Sequence, residues 1–276
     1  MRKQISNQTT GIINSKSDFE QLVSYKIEQN LNQFEPIALG QLGDVNLQDR
    51  VDTKYLLSAN HLARLLKQVK INYQVLEVER KRLQHYQTLY FDTNDFKLYL
   101  QHHNKKLNRY KVRIRKYLDS DISKLEVKFK NNKGRTIKHR KGISEIHPVL
   151  DKESIKFIAE VTSFDPLYLE PKIWNEFLRV TLVSKTQVER LTLDLNLQFY
   201  NYYRSVSLGG LVVAEVKQNH YSSESRFIQE MKAMNLRPMR FSKFCTGVNL
   251  MFADIKQNRF KGRLLKIEQL AQGGLT

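Results

Sequence analysis

The segment from Arg109 to Lys130, RYKVRIRKYLDSDISKLEVKFK, constrains the fold more than any other part of the chain. Each of its two halves alternates between charged and apolar residues, which is the period of a β-strand. A short polar stretch near residues 119–123 joins the halves and favours an antiparallel hairpin. The sequence therefore predicts two neighbouring strands that share one apolar face and one charged face.

The charged face of this hairpin is almost entirely positive. A solvated sheet face usually mixes both signs, because like charges side by side destabilise a sheet. Two unit charges about 6.7 Å apart repel by roughly 2.5 kcal/mol at an effective dielectric of about 20. An ordinary solvated face is one interpretation, and a face that binds an anion is the other. The face consists of Arg109, Lys111, Arg113 and Arg115 on the first strand and Glu126, Lys128 and Lys130 on the second.

The positive charge of the whole chain is concentrated in this region. The 276 residues include 46 Lys and Arg against 28 Asp and Glu, a net charge of +18. Between Lys97 and Lys141 there are 16 basic and 3 acidic residues, so 13 of the 18 net charges lie there. Such local basicity indicates a site for a polyanion, for which nucleic acid, polyphosphate and an anionic membrane surface are the obvious classes.

Cysteine content and hydropathy bear on the compartment. Cys245 is the single cysteine, so the chain cannot form an internal disulfide, and this favours a reducing cytoplasm. The N-terminal residues contain no apolar signal region, and no apolar run is long enough to span a bilayer. We predict a soluble cytoplasmic protein, with peripheral attachment at the inner face of a membrane left open.

Residue periodicity predicts the remaining elements. Strands are expected at 51–57, 87–92, 136–143, 177–183, 188–200 and 211–217, and residues 167–174 are expected to be irregular because they contain a proline. Helices are expected at 17–34, from Ser58 or Asn60 to 69, at 93–100 after a turn, and at 147–164, 224–235 and 242–252.

At least five strands, the two of the hairpin included, have ionisable residues on one face and apolar residues on the other. This pattern predicts an α+β fold in which a closed antiparallel β-barrel with a wet, charged lumen is surrounded by helices. Closure would also remove exposed strand edges. An open sheet with one solvated face is the alternative. The ionisable pairs are Asp52 and Lys54, Arg113 and Arg115, Glu126 and Lys128, Arg190 and Asp194, and Glu215 and Lys217.

Seven motifs in order resemble one known family. They are VDTKYLLS (51–58), TLYFDT (88–93), HHNKKLNRYKVRIRKY (102–117), LEVKFKNNKGRT (125–136), ERLTLDLNL (189–197), VVAEVKQ (212–218) and RFSKFCTG (240–247). The stretch from about Asp49 to Phe252 resembles the VTC domain, the polyphosphate polymerase domain of the CYTH-like triphosphate tunnel metalloenzyme superfamily, in its bacterial form. This resemblance divides the chain into a flexible segment with a packing helix (1–48), a tunnel domain (49–252) and a helical tail (253–276).

The resemblance implies a tunnel that binds a triphosphate and a divalent metal, Mn²⁺ or Mg²⁺. Glu215 is implied as the principal metal ligand, and Glu126 and Asp194 as further lumen carboxylates. Arg forks and Lys point charges suit phosphate oxygens, and the same groups would stabilise charge on a transferring phosphoryl group. The implied phosphate-binding and catalytic residues are Lys54, Arg113, Arg115, Lys128, Arg179, Arg190 and Lys243, with Ser242 beside them.

One departure from the superfamily pattern bears on the reaction. Hydrolases of the superfamily often begin with an E-x-E-x-K strand, whereas this chain has Arg50 and Asp52 at the two acidic positions. Fewer carboxylates favour one metal over two, which suits the polymerase branch.

Several other residues have ordinary interpretations. His102 and His103 lack ligand spacing to another histidine or to a cysteine, so we interpret them as loop residues. Asp92 is interpreted as a turn former. Lys138, Arg140 and Lys141 have two interpretations, as a basic rim at the tunnel mouth or as solvated surface residues. We favour the second.

Three functions are consistent with the sequence. The first is a polyphosphate polymerase that transfers the γ-phosphoryl group of ATP to a growing inorganic polyphosphate chain. The second is a tunnel hydrolase that cleaves tripolyphosphate or a nucleotide or thiamine triphosphate, and the third is a non-catalytic polyanion-binding module. Nucleic acid is not expected as the partner, because no helix concentrates cations for groove binding. A separate membrane-protein partner remains open, and the oligomeric state is not predicted.

Overall fold

The computed structural model describes residues 25–42 and 50–272. The strands are β1 (Glu35–Ala38), β2 (Val51–Ser58), β3 (Tyr73–Glu77), β4 (Gln84–Asp92), β5 (Arg109–Tyr117), β6 (Ile122–Lys130), β7 (Thr136–Ile143), β8 (Glu170–Ser184), β9 (Glu189–Tyr200), β10 (Ser205–Leu208) and β11 (Leu211–Gln218). The helices are α1 (25–31 in its described part), α2 (Ala59–Val69), α3 (Lys97–His103), α4 (Lys152–Val161), α5 (Arg226–Ala233), α6 (Lys243–Met251) and α7 (Lys261–Gln272).

The described strands form one eleven-stranded sheet. Its main path runs β2-β11-β9-β8-β4-β5-β6-β7, and every pairing along it is antiparallel. Strands β3 and β10 join this path at β8 and β9, and β1 pairs with β3 in parallel. The α+β class and the large antiparallel sheet are thus confirmed. In the described part of the chain no pairing joins β2 to β7, so closure of the sheet into a barrel is not confirmed.

The hairpin that dominates the sequence forms as predicted. β5 and β6 pair in a register that places Arg113 directly opposite Glu126, and Val112 opposite Val127. Val112 and Val127 are 1% and 0% exposed and belong to a core that α3 and α4 also contribute to. The apolar face of the alternation is therefore the buried outer face of the sheet. The charged face is directed to the opposite side.

Two helix starts also follow the sequence. Ser58 caps α2 through a capping box with His61, and Ser242 caps α6 by accepting from Cys245 N–H. Both serines satisfy backbone donors that have no partner inside the helix. The predicted helix at 17–34 lies partly outside the described residues, and its described part continues to residue 31.

Other boundaries differ from the prediction. The segment 167–174, expected to be irregular, is mostly strand, because β8 begins at Glu170 and accommodates Pro171 beside a register shift against β4. The helix predicted at 147–164 is limited to α4, which begins at Lys152, directly after its N-cap Asp151. The short strands β1, β3 and β10 were not predicted, since four or five residues give too little alternation to identify a strand.

A bulge in β9 reverses the alternation near its end. Asn196 has φ 49°, and the pairing with β8 shifts between Glu176 and Leu178. Before the bulge Leu193 packs in the outer core, and after it Leu197 packs on the opposite face, against α6. The extra residue turns the following side chains to the other face, so the alternation by which the sequence predicts this strand does not continue unchanged to Tyr200.

The sheet curves around α6. One apolar cluster joins this helix to five adjacent strands through Leu56, Val213, Phe199, Ile173 and Tyr90. Five flat strands would be about 19 Å wide, whereas a helix with its side chains is about 10–12 Å in diameter. The strands therefore bend towards the helix. Helices α2 and α5 cover the other, convex face with a separate apolar core.

The close contact between α6 and the sheet requires a glycine. A Cβ at Gly247 would lie 2.5 Å from Ile173 Cδ1 and 2.6 Å from Phe199 Cδ1. We expect Gly247→Ala to lower the free energy of unfolding by about 1–3 kcal/mol, because overpacking must displace the helix. Denaturant unfolding measures the change. The control is Gly262→Ala in α7, where a Cβ has open space and should be neutral or slightly stabilising. Equal stability of the two variants would contradict this packing.

Candidate functional site

The charged face is the concave side of the sheet together with the first residue of α6. Its central part contains eleven cations and four carboxylates in the described residues, an excess of seven positive charges. Arg109, Lys124 and Lys130 share the face by the register of β5 and β6. The members of the central part are Asp52, Lys54, Lys111, Arg113, Arg115, Glu126, Lys128, Lys138, Arg140, Arg179, Arg190, Asp194, Glu215, Lys217 and Lys243.

Glu126 is the centre of the first ion-pair cluster. Its carboxylate accepts from Arg113 Nε at 2.6 Å, pairs with Lys138, and lies 3.4 Å from Arg140 Nε. The side chain of Glu126 is completely buried. Burial alone would raise its pKa, but Arg113 and Lys138 hold the pKa well below the usual range. Glu126 is thus a permanent anion surrounded by three cations.

Asp194 is the centre of the second cluster, between the sheet and α6. Arg179 binds it through two parallel hydrogen bonds, Nε to Oδ1 at 2.6 Å and Nη2 to Oδ2 at 2.8 Å, and Lys243 pairs with Oδ2. Burial would raise the pKa of Asp194, but Arg179 and Lys243 lower it. The cluster holds the beginning of α6 against β8 and β9.

Glu215 is the centre of the third cluster. Lys54 lies directly opposite on β2, and both Lys54 and Lys217 pair with its two carboxylate oxygens. Asp52 and Arg190 lie directly opposite Lys217 on the two flanking strands. Each predicted carboxylate is therefore neutralised by two or more cations in the free protein.

Three lysines form a row across β5, β6 and β7, of which Lys138 also pairs with Glu126. Lys128 lies directly opposite Lys111 on β5 and Lys138 on β7. Burial, together with Arg113 and Lys138, lowers the pKa of Lys128 well below its usual value. Burial likewise lowers the pKa of Lys111, and Lys54 on β2 contributes. Because like charges opposite one another destabilise a sheet, an external anion would stabilise this row.

The N-terminus of α6 is directed at the same region. Lys111 Nζ donates to Ser242 Oγ at 2.9 Å, and Ser242 is the N-cap of the helix. Unpaired N–H groups and the helix dipole at such an end favour negative charge. The structure thus brings Ser242 and Lys243 next to cations of the strands, which is the grouping that the family resemblance implied.

The three predicted metal ligands do not form one cluster. Glu126, Asp194 and Glu215 belong to the three separate ion-pair clusters, and the described residues contain no group of three His, Cys, Asp or Glu that could hold a metal ion. Mg²⁺ is often bound by one or two carboxylates together with substrate phosphates. Each of the three carboxylates could supply one ligand in this second mode, with a phosphate chain completing the coordination.

Three of the ordinary interpretations can be compared with the structure. Asp92 is a turn former, since it is buried and accepts from the N–H groups of Thr93, Leu98 and Tyr99 at the start of α3. The interpretation of His102 and His103 as loop residues is wrong, because both lie in the last turn of α3. His102 accepts from Arg109 Nε at 3.1 Å, and burial lowers its pKa to about 2, so it supports this arginine as a neutral ring.

The favoured interpretation of the basic segment 138–141 is only partly right. Lys138 is not a solvated residue, because it pairs with the buried Glu126. Arg140 is 55% exposed, and Lys141 pairs with Glu153 outside the charged face. The sequence also left Lys111 and Lys217 out of the predicted site. Lys111 shares a strand face with Arg113, and Lys217 shares one with Glu215. Strand alternation could therefore have identified both lysines.

Together these features define a class of protein. A curved antiparallel sheet carries an inward face with an excess of cations, and the N-terminus of a helix is directed at it. This arrangement has the chemistry to bind a phosphate-rich anion. The profile of the VTC domain family matches residues 49–252, and the chain belongs to this family.

Solved structures and curated proteins were also compared with the chain. A Bacillus halodurans protein described as a candidate adenylate cyclase is 16% identical and has a TM-score of 0.44, with 75% of this chain and 100% of that chain covered. A Hippeastrum protein described as a candidate adenylyl cyclase with a dominant triphosphatase activity is 13% identical and has a TM-score of 0.45, with 74% and 98% covered. No curated protein matches the chain. None of the helices in the described residues is long and apolar enough to cross a membrane.

Proposed function

We propose that this protein is a metal-dependent polyphosphate polymerase that transfers the γ-phosphoryl group of ATP to the end of an inorganic polyphosphate chain. Membership of the VTC domain family supports an enzyme that acts on triphosphates. We further propose that the curved sheet encloses its substrate as a tunnel.

The excess charge on the charged face is the observation that favours a polymerase. The central part of the face has seven more cations than carboxylates. A nucleoside triphosphate carries about four negative charges, so it would leave several cations without a counter-ion. A hydrolase needs no further cations, because its second substrate, water, is neutral. A polymerase must hold a second polyanion, the acceptor, beside the first, and the remaining cations fit that need.

The residues of the face have distinct proposed roles. Arg113, Arg115 and Arg179 would hold phosphate oxygens with forked hydrogen bonds, and Lys128 and Lys243 would act as point charges. These groups are already oriented, so they could stabilise charge that develops on the transferred phosphoryl group without reorganising. A divalent ion, Mn²⁺ or Mg²⁺, held by Glu215 would supply further neutralisation of that charge when bound. No covalent enzyme intermediate is required.

A second group of residues completes the proposed site. Lys54 and Arg190 lie on strands beside Glu215, and Ser242 begins α6. We propose that these three residues contact the phosphates nearest the metal. Glu126 and Asp194 would then set the orientation of their arginine partners, with a metal-binding role as the alternative.

An acceptor experiment separates the polymerase from the hydrolase. The protein is incubated with ATP and Mn²⁺, with and without a short polyphosphate primer, and ADP formation is followed. A polymerase should form ADP faster with the primer, because the primer is a substrate. In a hydrolase the primer would compete for the cations and slow ADP formation, which would contradict the proposal. A protein that binds the primer but forms no ADP would be a binding module.

The pH dependence of binding provides a further prediction. Burial lowers the pKa of Lys138 and of Lys243 to about 7 in the free protein. A bound polyanion favours the protonated ammonium and raises both pKa values, so binding takes up protons. The affinity for tripolyphosphate should therefore fall as the pH rises from about 7.5 to 9.5. Calorimetry in two buffers of different ionisation enthalpy measures the uptake. An affinity that rises over this range would contradict the account.

A further inference from the structure

Two aromatic rings lie on the concave side of the sheet among the cations. Tyr86 on β4 and Phe177 on β8 are directly opposite each other, and their rings stack with centroids 5.1 Å apart at an angle of 13°. We call them the ring pair. Phe177 is 1% exposed, and burial raises the pKa of Tyr86. The ring pair is therefore a rigid, neutral surface inside the charged face.

Three cations from three different elements converge on the ring pair. Arg115 Cζ lies 5.4 Å from the Tyr86 centroid and 5.6 Å from that of Phe177. For Arg179 Cζ the distances are 5.0 Å and 5.3 Å, and Lys243 Nζ lies 4.1 Å from the Phe177 centroid. All five distances are within the range of cation–π attraction.

Arg115 shows what the rings contribute. It is 6% exposed, and the hydrogen bond described for it goes to the Thr88 hydroxyl at 3.2 Å. Its charged neighbours Arg113 and Arg179 repel it, and together with burial they lower its pKa. A carboxylate would hold Arg115 but would also cancel its charge. A ring face attracts the guanidinium through its quadrupole and leaves the full positive charge for a ligand.

We propose that the ring pair positions Arg115, Arg179 and Lys243 for the phosphate chain. For Arg115 it takes the place of a counter-ion in the free protein, whereas Arg179 and Lys243 also pair with Asp194. Tyr86 and Phe177 are positioning residues, since they act through the three cations. The inference rests on the proposed function, because it assumes that the ligand of these cations is a phosphate chain.

The test is the affinity of the full-length protein for tripolyphosphate, measured by calorimetry. Phe177→Leu keeps an apolar side chain but removes the ring that all three cations contact. Affinity should fall about 10-fold or more, because three attractive contacts are lost. Phe177→Tyr keeps the ring and should restore the affinity to within about twofold of the wild type. The matched control is Phe129→Leu on β6, whose ring stacks on Tyr110 on the opposite face of the sheet, and it should leave the affinity unchanged.

The outcomes separate this inference from the proposed function. Wild-type protein that does not bind tripolyphosphate contradicts the proposed function itself. Wild-type binding with equal affinity in Phe177→Leu contradicts the role of the ring pair alone, as does a Phe177→Tyr variant that is as weak as Phe177→Leu. If Phe177→Leu does not fold, Tyr86→Leu removes the other, less buried ring. Its affinity for tripolyphosphate should also fall, and wild-type affinity would contradict the role of the ring pair.

Discussion

Replacing Lys128 by alanine should abolish turnover and leave the fold intact. Lys128 lies between Lys111 and Lys138 in a row of like charges, and no carboxylate lies directly opposite it. We therefore expect its charge to contribute to binding an anion and not to holding the sheet together. Loss of one such preorganised charge typically reduces turnover by about 100- to 1000-fold. The thermal midpoint should stay unchanged or rise, because repulsion is relieved.

Lys133→Ala is the matched control for this prediction. Lys133 lies exposed in the turn between β6 and β7, so its removal changes the net charge equally without changing the charged face. Activity is measured as ADP formation from ATP, and stability by thermal unfolding. If Lys128→Ala retained wild-type turnover, the charged face could not be the catalytic site.

Replacing Glu126 by glutamine should destabilise the protein strongly. Glu126 is completely buried and pairs with Arg113 and Lys138. Removing the anion from a buried cluster leaves uncompensated cations, which typically costs about 3–5 kcal/mol. Unfolding in denaturant with EDTA present measures the loss. Tripolyphosphate should reduce the difference from the wild type, because it supplies the missing negative charge to the folded state.

Glu153→Gln is the control for Glu126→Gln. Glu153 pairs with Lys141 but is 73% exposed, so its loss should cost less than about 1 kcal/mol. The comparison also separates two roles of Glu126. A residue whose main role is to bind a metal would affect the metal requirement of the activity without a large loss of stability in EDTA. That result would contradict the structural role described for Glu126.

The sequence predicts most of the charged face because strand alternation is local. Once β5 and β6 are joined by a short turn, the face on which each side chain lies follows from whether its residue number is odd or even. The same logic places Lys54, Arg190 and Glu215 on one face of their strands. The resemblance to the VTC domain then identified the family correctly.

Features that depend on distant parts of the chain could not be predicted. The residues of α6 indicate an amphipathic helix, but nothing local shows that the helix packs on the concave side of the sheet. The bulge at Asn196 likewise follows from the fit between β8 and β9. The convergence of Arg115, Arg179 and Lys243 on two rings joins residues more than sixty positions apart, and no motif of the chain indicates it.

The product formed from ATP tests the central claim most directly. Purified protein is incubated with ATP and Mn²⁺ or Mg²⁺, and the products are separated on a gel stained for polyphosphate beside an assay for free phosphate. A ladder of long polymer together with ADP is the result that this account predicts. Free phosphate without polymer would contradict it and assign the protein to the hydrolases.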